Sequence, residues 1–165
     1  MKFLNKVQIV HSSEEWDKCI KEMIPCKCSI CGEEPAIYRR RLSLNMIRVL
    51  VYLKKYDPNY LGLHLQKELA KISIVAPAMD YIQLKRWSFI EPILEVENNI
   101  PVFKNGYYKL TYVGNEFLYN RLAVKEEVLV YKNETILFEG NSVYCKDVVN
   151  NHNIKYINIL KEWNL

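Results

Sequence analysis

Glycine is scarce in this chain, with five residues in 165. None of the five belongs to a glycine-rich loop of the kind whose backbone cradles phosphate, or to the strained Gly-x-Ser-x-Gly turn that exposes a serine nucleophile. Paired carboxylates with a catalytic signature are missing too. The three histidines, His11, His64 and His152, stand apart in sequence, and His64, between Leu63 and Leu65, reads as a surface or satisfied histidine rather than a general base. These absences argue against an enzyme and against a small-molecule substrate. No apolar run approaches the roughly 18 residues that suggest a membrane span. The N-terminal stretch has neither a sustained apolar segment nor a small-residue cleavage site, so the expected location is the cytoplasm. No internal repeat or low-complexity linker breaks the chain, whose length suits one compact unit with an appendage.

Cysteine is present in odd number: Cys19, Cys26, Cys28, Cys31 and Cys145. In a reducing compartment clustered cysteines point to metal or free thiols rather than disulfides. Cys28-Ser29-Ile30-Cys31-Gly32 has the spacing of a zinc knuckle, in which two thiolates three positions apart grip one ion and the glycine permits the turn behind them. Structural zinc takes four ligands. Cys26 is the candidate third, and His11, Cys145 or His152 the candidate fourth; a second C-x-x-C, the mark of a zinc ribbon, is missing. The competing reading is a knuckle of reduced thiols without metal. A redox pair is disfavoured, since no thioredoxin-like strand-helix context surrounds it. Cys19 falls on the apolar stripe of a helix and reads as a small core residue.

The net charge of +4 is unevenly spread. Residues 1–35 hold five basic against six acidic residues, 36–110 hold twelve against six, and 111–165 hold six against seven. The excess therefore lies in the middle third, either as a surface facing an anion or as the solvated faces of helices.

Local signals order the elements. Ser12 and Glu15 have capping-box spacing ahead of a helix from about Ser13 to Met23. A short strand is expected over Ala36–Leu42, and a helix capped by Ser43 with Leu44, Ile47, Leu50 and Val51 on one face. A second helix carries Leu65, Leu69 and Ile72, and a third opens at Pro77 and continues to about Trp87. Strand "FIEPILEV", a loop "NNIPVFKNG" turning at Asn105-Gly106, and strand "YYKL" follow. Three helices and then a two-stranded hairpin is the winged helix-turn-helix order. After it come a hairpin with strands Glu127–Tyr131 and Thr135–Phe138 around a turn at Lys132–Glu134, a short helix capped at Asn141 or Ser142, and a last amphipathic segment with Tyr156, Ile157, Leu160 and Trp163.

The expected fold class is thus α+β, in three parts. Residues 1–42 form an N-terminal helix, cysteine knuckle and strand, 43–122 a winged helix-turn-helix, and 123–165 a hairpin with helices packed on the core. "YKLTYVGNEFL", Tyr108–Leu118, resembles the returning wing strand and next helix of many winged-helix regulators, where Y-x-L-T-x-x-G-x-x-F recurs. "LKRWSFIE" looks like the passage from a third helix into the wing, with Ser88 where glycine is more usual. From about Cys28 to Ile157 the chain also resembles a group of small phage and prophage proteins. In that group a C-x-x-C-G knuckle leads through a "YRR" strand to a winged helix, and a hairpin like "VYKNETILFEG" precedes a final helix. That resemblance implies a viral context, hence a host cytoplasm, and brings no catalytic residues; the extra Cys26 departs from the simplest form of its pattern.

The leading expectation is a nucleic-acid-binding accessory or regulatory protein of phage type. For duplex DNA, the contacts would be Arg39, Arg40, Arg41, Gln83, Lys85, Arg86, Lys104 and Lys109, with the two last residues beside the wing. The third helix, "PAMDYIQLKRW", offers few base-reading side chains, and Asp80 would repel phosphate. The alternative is a host protein, bound by a phage-encoded inhibitor that uses the same scaffold.

Overall fold

The computed structural model describes residues 7–71, 80–152 and 154–162. Among them are seven helices and eight strands in a mixed α+β arrangement. The chain folds as two compact units, Met1–Arg40 with Glu127–Glu139, and Arg41–Glu126 with Gly140–Leu165. The distal half of the C-terminal hairpin thus groups with the N-terminal segment.

In the first unit, β1 (Gln8–Val10) pairs in parallel with β2 (Cys26–Cys28), Val10 opposite Cys28. Helix α1 (Ser13–Lys21) connects them. Ser12 Oγ accepts from the Glu15 N–H at 3.2 Å, satisfying a donor that the helix leaves unpaired, and the Glu15 carboxylate accepts from the N–H of His11, just before the cap, at 2.7 Å. Val10, Cys19, Ile20 and Cys26 form this unit's core, with Trp16, Ile24, Tyr131 and Ile136 against it.

In the second unit, α2 (Leu44–Tyr56) is the central helix. Ser43 caps it, and Met46, Ile47, Val49, Leu50, Val51, Tyr52 and Leu53 are all buried, a stripe wide enough to need neighbours on several sides. Strand β4 (Leu63–His64), helix α3 (Leu65–Lys71) and a short helix α4 (Asp80–Gln83) follow. The expected third helix is therefore only partly visible. Ile72 and Pro77–Met79 lie outside the described residues, and after Gln83 the helix tightens into turns, with amides of Leu84, Lys85 and Arg86 bonding three residues back. It ends at Ser88, whose φ of 57° is left-handed, a conformation that favours glycine.

Strands β5 (Ile90–Glu97) and β6 (Ile100–Leu110) form an antiparallel hairpin, and β4 adds to β6, giving the order β4-β6-β5. The hairpin turn is at Asn98-Asn99, not at Asn105-Gly106. Both asparagines have positive φ, 51° and 65°, as a two-residue hairpin turn of the right twist demands. Asn105-Gly106 lies inside β6 at an irregularity, where the register slips between Pro92/Tyr108 and Leu94/Phe103. Residues 100–106, expected as loop, are strand.

Thr111 then caps α5 (Tyr112–Leu118), accepting from the Gly114 N–H at 3.0 Å. Phe117 stacks on Phe89, centroids 4.5 Å apart, and both are buried with Leu110. Strands β3 (Tyr38–Arg41), β7 (Val124–Tyr131) and β8 (Glu134–Val143) form the third sheet, in the order β3-β7-β8. The β7–β8 turn is Lys132-Asn133, again two residues of positive φ. Asn141 and Ser142 belong to β8. The helix expected to start at them, α6 (Cys145–Asn150), begins after Tyr144, whose N–H the Asp147 carboxylate accepts at 2.8 Å. In α7 (Tyr156–Glu162), the Tyr156 hydroxyl donates to the Leu118 carbonyl and Ile159 is buried, whereas Ile157 is exposed and Trp163 lies outside the described residues. No helix among the described residues is long and apolar enough to cross a membrane.

Candidate binding surfaces and thiol knuckle

The basic residues expected to meet phosphate mostly face carboxylates of their own unit. In the first unit, Arg39 pairs with Glu127 at 3.4 Å and Glu139 at 2.7 Å, and the Arg40 guanidinium lies 5.9 Å from the centre of the Tyr38 ring. In the second unit, Arg41 forks onto one oxygen of the buried Glu126, its Nε donating at 3.1 Å and its Nη2 also in contact. The other oxygen accepts from the backbone and side-chain amides of Asn141 at 3.2 and 3.1 Å. These donors, Arg41 foremost, hold the Glu126 carboxyl below its usual range. On the hairpin, Lys104 pairs with Glu95 at 3.3 Å and Lys109 with Glu91 at 3.0 Å. Neighbouring charges of opposite sign leave little local field to attract a polyanion.

The segment after α4 has one outward side. Tyr81, Leu84 and Trp87 are buried, and the Trp87 indole donates to the Lys125 carbonyl at 2.7 Å. Gln83 accepts from Arg86 at 2.6 Å, both half-buried, while Lys85 is exposed. Ala78 and Met79, like the side chain of Asp80, lie outside what the structure describes.

The hairpin carries a feature that loop assignment hid. Register sets Leu94 opposite Phe103 and Val96 opposite Pro101. Because strand side chains alternate, these four share one face. Leu94 is 57% exposed, Val96 74% and Phe103 70%. The far half of the hairpin is thus an apolar ribbon surface, whereas the signal that could have found it, period-two alternation, appears only once residues 100–106 are read as strand.

The cysteines separate into two kinds. Cys19, Cys26 and Cys145 are buried. Burial, with Cys19 beside it, pushes the Cys26 thiol up, and burial pushes the Cys145 thiol up to about 12. Cys28 is half-buried and Cys31 exposed. They sit on a tight turn in which the Gly32 N–H bonds to the Cys28 carbonyl at 2.9 Å and the Ile30 N–H points at Cys28 Sγ at 3.4 Å. Gly32 has a φ of 72° and open space around it, so conformation alone requires glycine here. The amides of Cys31 and Ile30, in that order, and then the Cys31 side chain, lower the Cys28 thiol below its usual range. Among the described residues, no three His, Cys, Asp or Glu side chains converge in a way that could hold a metal ion, so Cys26 does not join Cys28 and Cys31 in a set of three.

No protein-family model, curated protein or solved structure matches the chain.

Proposed function

We propose that the second unit is built on a winged helix-turn-helix, with α2, α3 and α4 as its helices and β5–β6 as its wing, and that the protein works by binding rather than by chemistry. The element order, the β4-β6-β5 sheet and the closure of Phe89, Leu110 and Phe117 support this reading. The partner it favours is a protein, in keeping with a phage-encoded inhibitor that occupies a host enzyme. One observation carries that choice: the wing presents Leu94, Val96, Pro101 and Phe103 on one solvent-facing side, while its lysines are matched by glutamates. Exposed apolar surface gathered on one element marks interaction sites in soluble proteins, and large apolar anchors carry most of the energy of such contacts. The test is co-purification from host lysate with Leu94→Thr, Val96→Thr and Phe103→Thr combined. Threonine keeps the strand preference, so the variant should fold as the wild type does and lose a stoichiometric partner that the wild type retains.

A second reading, duplex DNA, has its own support. The second unit holds fifteen basic against ten acidic residues, and Lys85 is exposed beside Arg86 and Gln83. Under that reading binding weakens steeply with salt, and reversing Lys85 and Arg86 abolishes it. Undetectable or salt-insensitive binding removes it.

A further inference from the structure

We propose that Cys28 and Cys31 are half of a tetrathiolate zinc site and that a second copy of this chain supplies the other half, so that the metal bridges a homodimer. This site does not depend on what the wing binds. The knuckle is formed before any metal arrives: the Gly32 turn is closed, and the Ile30 amide hydrogen already points at the Cys28 sulfur. Such a donor stabilises a thiolate, the form that ligates.

The ligand count then decides the stoichiometry. Structural zinc is closed by four ligands, and this knuckle offers two. Cys26, next along the strand, is committed to the core with Cys19. His11 follows directly on Val10, which is opposite Cys28, yet no third ligand converges on the pair among the described residues. A surface pair of thiolates that the described residues do not complete is completed most simply by the same pair from a twofold-related copy, since an isologous contact repeats each half-site.

The surface around the knuckle fits that use. Ile30, between the two cysteines, is 91% exposed, and Ile9, opposite Lys27 next to Cys28, is 51% exposed. Two such tips meeting across the ion would bury these side chains and keep water from the sulfur ligands. Binding is not a redox step: zinc displaces one proton from each thiol still protonated and forms four Zn–S bonds.

The experiment uses the full chain, reduced throughout with a phosphine, titrated with zinc chloride alone and followed by metal analysis and sedimentation velocity. The expected result is one zinc per two chains, with monomer converting to dimer and a chelator reversing the change. Cys28→Ser or Cys31→Ser, both at accessible positions, should reduce zinc to background and leave a monomer, while His11→Ala changes neither. One zinc per monomer, a dimer that persists in chelator, zinc uptake indifferent to both serine variants, or no uptake by the wild type would each overturn the proposal.

Discussion

Replacing Gly114 with alanine sets two effects of opposite sign against each other. In a free helix the change adds about 1 kcal/mol of stability, because alanine loses less backbone entropy. Here an added Cβ would lie 2.3 Å from the Phe89 carbonyl oxygen, 3.0 Å from its carbon and 2.9 Å from Leu110 Cδ1. An ordinary carbon–oxygen contact is roughly 3.3–3.6 Å, so α5 and β5 must separate by about 1 Å. Leu110 can rotate away, but the Phe89 carbonyl is held by the Thr111 amide at 3.0 Å. Overpacking of this kind costs about 1–3 kcal/mol or more, and a rigid backbone obstacle belongs at the upper end. With the propensity gain subtracted, the net loss is about 2 kcal/mol. Urea unfolding followed by circular dichroism reads it directly, as a midpoint lowered by about 1 M at a slope of about 2 kcal/mol/M. An unchanged or raised midpoint would refute the close approach of α5 to Phe89, at the start of the β5–β6 hairpin.

Other outcomes follow from the same structure. Ser88→Gly should raise stability by up to about 1 kcal/mol, since serine at a φ of 57° bears the left-handed penalty that glycine escapes; thermal melts of the two proteins check this. The Glu126 carboxyl is held below its ordinary value of 4.5. Its contribution to stability is present above the unfolded value and is lost as pH falls through the lowered folded one. Glu126→Gln should therefore flatten the acid limb of a stability-against-pH curve, and an unaltered limb would contradict the ion pair with Arg41. In native metal-free protein, iodoacetamide with peptide mapping should label Cys28 and Cys31 first and leave Cys19, Cys26 and Cys145 until unfolding. Early labelling of Cys145 would contradict its burial.

What could be read from the chain was what is decided locally. Ser12, Ser43 and Thr111 announce their helices because a cap needs only a side-chain oxygen and the next turn. Leu110 and Phe117 are core on either side of that last cap. What escaped depends on partners distant in sequence. Asn105-Gly106 and Asn98-Asn99 both tolerate positive φ, and only the pairing of β5 with β6 determines which one turns the chain. The parallel β1–β2 pair joins segments too short to declare themselves. The charge pattern was visible but its meaning was not: Glu91 faces Lys109 across the ladder, and Arg41 finds Glu126 85 residues away. The cluster of arginines that suggested a phosphate surface is, in part, a set of internal ion pairs. The apolar face of the β5–β6 hairpin was hidden for the same reason, since alternation has no meaning before the register is known.

Under the proposed reading the β5–β6 hairpin, rather than the residues around Lys85, makes the principal contact. One comparison tests it: tagged wild type, the Leu94→Thr/Val96→Thr/Phe103→Thr variant and the Lys85→Glu/Arg86→Glu variant, each purified from bacterial lysate under nuclease, with bound protein measured per mole of bait. The hairpin variant should lose a stoichiometric partner that the charge variant keeps. Retention by the hairpin variant with loss by the charge variant would contradict the proposal.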